Sequence, residues 1–153
     1  MRVTREVAIV AQAGSLWELL WDVRRIVECL PGCADAREIS LHERYSARME
    51  QKVGPIRLSV PLDVKVVEAE APRRLVLDAK GKDPMIGAEV VARVTLEVEG
   101  RGEGSLLRID AEGRILGRLG GLGQGVIQRK AEEIVDEFGV RLREAARVPP
   151  TLD

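Results

Sequence analysis

Aromatic side chains are scarce in this chain: Trp17, Trp21, Tyr45 and Phe138 are all it has in 153 residues. Each ring buries roughly 150–250 Å² and fills a thick core efficiently, so a core here has to be aliphatic. Histidine is rarer still. His42, in Leu41-His42-Glu43-Arg44, lacks the second histidine or carboxylate cluster of a metal site. It also lacks the poised serine or cysteine of a triad, and reads as a solvated turn residue. The two cysteines, Cys29 and Cys33, are spaced neither as a redox nor as a zinc Cys-x-x-Cys pair, and no second pair completes a ligand set. Free thiols are expected, with a regulatory disulfide as the alternative. Cys29 lies near a helix C-terminus, where the dipole disfavours a thiolate nucleophile.

Charge of one sign is also lacking. Twenty-four basic residues face twenty-five acidic ones, for a net charge of −1, so no basic field is available to hold nucleic acid. No apolar run approaches the ~18 residues of a membrane span. Met1-Arg2-Val3-Thr4-Arg5-Glu6 has no apolar segment or small-residue cleavage site, so no secretory signal is expected and the cytoplasm is the expected compartment.

What is present is a change of period. Val3 to Ala11 alternates as a strand. Ser15-x-x-Glu18 has the form of a capping box, with Leu16, Leu19, Leu20 and Val23 at helical spacing and Asp22 placed to cap a second short helix. Ile26, Val27 and Leu30 continue the apolar face until Pro31-Gly32 stops it. The period then drops to two. Ala36–Ile39 reads as a weak strand, followed by one carrying Tyr45, Ala47, Met49, Gln51 and Val53 on one face. Gly54-Pro55 turns the chain into Ile56, Leu58, Val60, Leu62, Val64 and Val66, where Pro61 argues for a bulge or an edge. Three further alternating runs carry Leu75, Leu77 and Ala79, then Ala88 to Val98, then Leu107 to Ile115. Lys82-Asp83-Pro84-Met85 and Gly100 to Gly104 mark the turns between them. From Leu122 onward, Val126, Ile127, Ala131, Ile134, Val135, Phe138, Leu142 and Ala145 trace one side of a helix about seven turns long. Pro149-Pro150 ends it.

Six or seven strands with one apolar face make an antiparallel sheet covered on one side, and the long helix is the cover. The inward positions include Ala47, Ala79, Gly81, Ala88, Ala92, Ala111 and Gly113. Unfilled volume costs stability, so either Leu and Val close the sheet flat on the helix or an apolar ligand occupies the gap. A pocket is the preferred reading. Its expected lining is Tyr45, Met49, Leu62, Leu77, Met85, Val90, Val94, Leu107 and Ile109 from the strands, with Leu122, Val126 and Ile127 from the approach to the long helix.

Trp17 after the helix start, Asp22, Cys29-Leu30-Pro31-Gly32-Cys33 and Lys52-Val53-Gly54-Pro55-Ile56 together resemble the CoxG family, the G subunit of carbon monoxide dehydrogenase. That family is part of the START-like, polyketide-cyclase (SRPBCC) superfamily, and the resemblance runs from about Val3 to Ala146. It implies an α+β helix-grip fold over residues 1–153 as one domain, with 149–153 a short irregular tail. It also implies an apolar cavity, no catalytic residues, no cofactor, and an accessory role beside a molybdenum hydroxylase. The implied partners are a quinone or lipid, the hydroxylase subunits and, peripherally, the inner membrane face. The chain departs from the family in lacking an apolar C-terminal extension, and in carrying Asp83-Pro84-Met85-Ile86-Gly87 where a glycine-rich turn is common.

Two other features carry weaker signals. Gly117-Arg118-Leu119-Gly120-Gly121-Leu122-Gly123-Gln124-Gly125 lacks the Lys-Ser/Thr ending of a phosphate loop; ordinary loop flexibility and a gating hinge with apolar tips remain its readings. Arg141, Arg143 and Arg147 suit a helix C-terminus as a solvated basic face, with contact to anionic lipid as the alternative. Against the carrier reading stand two alternatives, a cyclase- or hydrolase-like enzyme using the same cavity and an adaptor that needs none.

Overall fold

A computed structural model describes residues 1–117 and 121–147. The elements run β1 (Arg2–Ile9), α1 (Ala13–Trp21), α2 (Val23–Glu28), β2 (Cys33–Ser40), β3 (Arg44–Val53), β4 (Ile56–Glu70), β5 (Arg74–Asp83), β6 (Ala88–Arg101), β7 (Gly104–Gly117) and α3 (Gln124–Arg147). The seven strands form one antiparallel sheet in the order β1-β7-β6-β5-β4-β3-β2. Strands β2 to β7 are therefore a meander joined by short turns. β1 closes the far edge by pairing with β7 from Arg2↔Glu112 to Ile9↔Ser105.

The helix starts differ in detail from the sequence pattern. α1 begins at Ala13, with Gln12 as its N-cap and no side-chain cap bond. Ser15 therefore lies inside the first turn, and the Ser15–Glu18 capping box is not made. Burial sets the phase of this helix: Leu16, Leu19 and Leu20 are all in the core, which fixes the rotation whatever the polar residues prefer. Asp22 does sit at the α1–α2 junction, but through its backbone; its amide donates to the Glu18 and Leu19 carbonyls, and its carboxylate caps nothing. The Pro31-Gly32 stop holds. Gly32 has φ +81°, and a Cβ there would lie 2.2 Å from the Glu50 carbonyl oxygen.

Pro61 lies on an interior strand, because β4 is flanked by β3 and β5. Its position still obeys the rule behind the edge expectation. The Ser59 amide donates toward β5, to Asp83 Oδ2 at 3.2 Å. Pro61, two residues on, faces the same side just past the last β4–β5 pair, Leu62↔Gly81. No ladder bond is lost there. The irregularity in β4 falls elsewhere, between Val66 and Glu68.

The cover is α3, and it is pinned at one end. Its buried residues, Val135, Phe138, Gly139 and Leu142, all lie from Val135 onward. Gly139 permits close approach to the β1–β7 edge: a Cβ there would lie 3.1 Å from Val7 Cγ2 and 3.6 Å from Ile109 Cδ1. Polar bonds follow the same line. Arg5 Nε reaches Asp136 Oδ1 at 2.7 Å, and Arg143 Nε donates to the Ala8 carbonyl at 3.2 Å. The expected helix stop at Pro149-Pro150 lies outside the described residues.

Two glycines test the backbone reading. A Cβ on Gly81 would meet Val60 Cγ1 at 2.1 Å and the Pro61 carbonyl at 2.7 Å, whereas one on Gly14, inside α1, would meet nothing within 4 Å. Gly81→Ala is expected to destabilise by about 1–3 kcal/mol through overpacking. Gly14→Ala is expected to stabilise by about 0.5–1 kcal/mol through helix propensity. Urea unfolding of the two variants reads both signs.

Candidate ligand-binding site

The strand register explains where the sheet stands away from the helix. Ala79 pairs with Ala92 and Ala92 with Gly113, so three small residues lie in line across β5, β6 and β7. Larger side chains flank this row, Leu77 and Val94 on one side and Val90 and Ile115 on the other, with Ala111 and Gly81 completing those rows. Opposite lies α3 from Gln124 to Ile134, a stretch that contributes no fully buried residue. Small residues below, and a helix held there by the Gln128 Nε2 bond to the Arg2 carbonyl at 3.2 Å without buried side chains, leave a cavity of about 160 Å³. Its sheet wall is Val3, Met49, Gln51, Val53, Leu58, Leu62, Ala79, Val90, Ala92, Val94, Ile109, Ala111, Gly113 and Ile115. Leu30 closes it from the turn after α2, and α3 supplies Ile127, Lys130, Ala131, Ile134, Val135 and Phe138; Met1 and Glu112 border it. The wall is almost wholly aliphatic. About 160 Å³ holds a single substituted ring, since an engineered apolar cavity of about 150 Å³ takes benzene. Sites for drug-sized ligands run to roughly 300–1,000 Å³.

Of the twelve side chains expected at the cavity, Met49, Leu62, Val90, Val94, Ile109 and Ile127 line it. The other six lie elsewhere. Tyr45 is fully buried, but its hydroxyl accepts the His42 amide at 2.8 Å, and the residue borders a separate cleft with Trp21, Asp22 and Glu38. Leu77 and Leu107 are core residues and are not part of the lining. Leu122 and Val126 cover the Gly54 turn, 3.9 and 3.8 Å from where its Cβ would be. Met85 is 90% exposed. The inward alternation of β5 stops at Asp83, whose buried carboxylate accepts the amides of Ser59 and Met85 and turns the chain outward.

The lining residues that periodicity alone does not single out have one shared signal. Lys130, Ala131, Ile134 and Phe138 continue from Ile127 at helical spacing (i+3, i+4, i+7, i+11), on the stripe that faces the sheet. The apolar members of that stripe read as core. Only the register, which places three small residues opposite, shows that they face empty space.

The comparisons with known proteins agree with this architecture. The family model for the G subunit of carbon monoxide dehydrogenase (CoxG) matches residues 6–147. The chain belongs to the CoxG family. No curated protein sequence matches it significantly. Among solved structures, it is similar to a conserved protein of Geobacillus kaustophilus, with TM-score 0.83, 15% identity and 96% and 95% of the two chains covered. It is also similar to a protein of Thermus thermophilus, with TM-score 0.73, 16% identity and 99% and 100% covered. A third similar structure, from Arthrobacter aurescens, has TM-score 0.65 at 16% identity, with 98% and 88% covered. At these identities the likeness is one of fold, and the fold is the helix-grip arrangement that the CoxG resemblance implies.

The residues that carry the CoxG resemblance are structural in this chain. Cys29-Leu30-Pro31-Gly32-Cys33 forms the turn between α2 and β2, with the Pro31 carbonyl accepting Gln51 Nε2 at 2.6 Å. Both cysteines are free thiols. Burial pushes the Cys33 thiol up to about 11 despite the opposing charge of Arg141. Burial also raises Cys29, against Arg25 and Arg141. Neither is an activated nucleophile. His42, in a left-handed turn at φ 59°, is half-buried and not simply solvated, because its ring stacks on Trp21 with centroids 3.8 Å apart. Trp17 continues the stack at 5.8 Å from Trp21. Among the described residues no group of three or more His, Cys, Asp or Glu side chains is placed to hold a metal. Nor is any described helix long and apolar enough to cross a membrane.

The basic end of α3 is partly engaged within the molecule. Arg141 pairs with Glu137 at 3.2 Å and Arg143 holds the Ala8 carbonyl. In the glycine-rich segment, Gly117 and Gly123 have φ +89° and +90°, and the expected apolar tip at Leu119 lies outside the described residues. The thiol environments make a chemical prediction. For Cys33, raised to about 11 from 9.0, the thiolate population at pH 8 falls about a hundredfold below that of the unfolded chain. Iodoacetamide should therefore alkylate the folded protein at pH 8 at least tenfold more slowly than the urea-unfolded chain, as followed by mass spectrometry.

Proposed function

We propose that this protein is a non-catalytic accessory protein of a molybdenum hydroxylase of the carbon monoxide dehydrogenase type. In this reading it carries an apolar ligand, a quinone or a lipid, between its sheet and α3, and aids recruitment or electron-acceptor delivery at the inner membrane face. The observation that carries the proposal is the aliphatic hollow of about 160 Å³ above the Ala79–Ala92–Gly113 row. At roughly 24 cal/mol per Å³ of closed cavity, 160 Å³ left closed and dry would cost up to about 4 kcal/mol. That is a large share of the ~5–15 kcal/mol that holds a domain together. A sequence that keeps alanine, alanine and glycine in line across three strands, where leucine would fill the space, sustains that cost for a resident molecule. Family membership supports the partner enzyme.

The cavity's size bears on the ligand. It admits a ring head group, and an attached chain would extend beyond the hollow. The enzymatic alternative finds less support: the polar side chains at the cavity are Gln51, Glu112 and Lys130, and Glu112 is exposed and faces Arg2, so no acid and base converge inside. The adaptor alternative gives no account of the small-residue row.

Ala92→Leu would place a larger side chain at the centre of the hollow. Native mass spectrometry after gentle purification should show a non-covalent apolar mass on the wild-type protein and none on the variant. The variant's melting temperature should be equal or higher, since the void is filled. A wild-type protein with no bound mass, or a variant that keeps it, would sink the carrier reading. Co-purification with the hydroxylase subunits tests the partner separately.

A further inference from the structure

The cavity wall offers a ligand very little polarity, and most of that is already engaged. Gln51 has its amide nitrogen committed to the Pro31 carbonyl at 2.6 Å. Glu112 lies on the outer face of β7 by strand alternation, is exposed, and faces Arg2 across 3.8 Å. Lys130 is different. It projects from the α3 stripe that carries Ile127, Ala131 and Ile134 and lines the cavity with them, and only 25% of its side chain is exposed. Among the described residues its ammonium has one carboxylate partner, Glu133 Oε2 at 3.7 Å, on a side chain that is itself 65% exposed. A pair so long and so exposed contributes little. The aliphatic stem of Lys130 therefore belongs to the wall while its charged head stands at the boundary between hollow and solvent, the usual posture of a lysine beside an apolar surface.

A lysine ammonium has three donors and no acceptor. We infer that Lys130 reads the polar end of the ligand, so that the cavity selects an apolar ring bearing an acceptor oxygen, a quinone-type carbonyl or a carboxylate, over the plain hydrocarbon. The inference rests on the cavity being a ligand site, as proposed above. Lys130 acts here by positioning and selection; no bond to the ligand is made or broken. The Glu133 contact is the one that the ligand's oxygen would displace, and the charge-assisted bond gained is stronger than a neutral one.

Three probes with the same methylated ring test this on the intact protein: durene, duroquinone and 2,3,5,6-tetramethylbenzoate. The ring carbons of duroquinone are all substituted, so it does not form stable adducts with the thiols of Cys29 and Cys33. Equilibrium dialysis should show at least one oxygenated probe binding about tenfold more tightly than durene, a difference of about 1.4 kcal/mol. Which of the two does so distinguishes a carbonyl from a carboxylate ligand. In Lys130→Met, which keeps an unbranched apolar stem, that preference should shrink to within about twofold, with durene binding unchanged as proof that the cavity is intact. Lys130→Arg should retain it. Equal affinity for all three probes in the wild type, or a preference that survives in Lys130→Met, overturns the role of Lys130 and leaves the carrier reading standing. If none of the probes binds the wild type, the carrier reading and this inference fall together.

Discussion

One close approach organises the molecule: Gly139 of α3 against Val7 and Ile109. Because no Cβ intervenes, the second half of the helix settles onto the β1–β7 edge, and Val135, Phe138 and Leu142 pass into the core around that point. The helix is stiff over its 24 residues, so fixing one half sets the height of the other. The sheet beneath curves away, and the first half of α3 is left above a floor whose height depends on side-chain size alone. Where that floor is leucine and valine it meets the core. Where it is alanine and glycine it does not, and the hollow is what remains.

The floor is set by pairing register more than by composition. Alanine and glycine are common, and their presence on an inner face means little until they line up. Ala79, Ala92 and Gly113 do so because β5–β6 and β6–β7 pair without interruption over their length. A one-residue slip in either ladder would turn those residues to the outer face and bring Lys80, Val91 or Arg114 inward. The turn at Asp83 guards against such a slip. Its buried carboxylate takes one amide from β4 and one from the β5–β6 turn, which ties three elements to one register. Gly81 then gives β4 the room to cross above it.

Much of this is legible in the sequence. The alternation of β3 to β7, the stop at Pro31-Gly32 and the single apolar stripe of α3 give the sheet, the turn and the cover, because periodicity and turn chemistry are local. Ser15 misleads because a capping pattern is also local, while the helix that contains it is phased by Leu16 and Leu20 against distant residues. Met85 misleads in a related way. It follows the strand as if the alternation continued, yet Asp83 ends the strand two residues earlier. Tyr45 and Leu107 sit on the right face but at the wrong place along their strands. Which face a residue occupies follows from its own strand, while its place under the helix depends on six pairings and on where α3 is pinned. That second kind of information is not local. The same reason hides Lys130, whose position on the stripe is visible but whose neighbour, an empty volume, is not.

The distribution of packing along α3 bears directly on how a molecule could enter. Contacts that would resist opening are concentrated where the helix is pinned. The stretch before Val135 is held by half-buried Ile127, Ala131 and Ile134, by Leu122 and Val126 resting on the Gly54 turn, and by one hydrogen bond from Gln128 to the Arg2 carbonyl. Free energy of local opening follows buried apolar contact, so the cavity end is the weaker end of the helix. Lifting it costs the Gln128 bond to Arg2 but leaves the Gly139 approach, the Arg5–Asp136 pair and the buried Leu142 untouched. Sheltering a ligand and exchanging it therefore place no conflicting demands on this chain. Rigidity is needed at the β1 edge and compliance above the small-residue row, and the sequence assigns those properties to opposite halves of one helix.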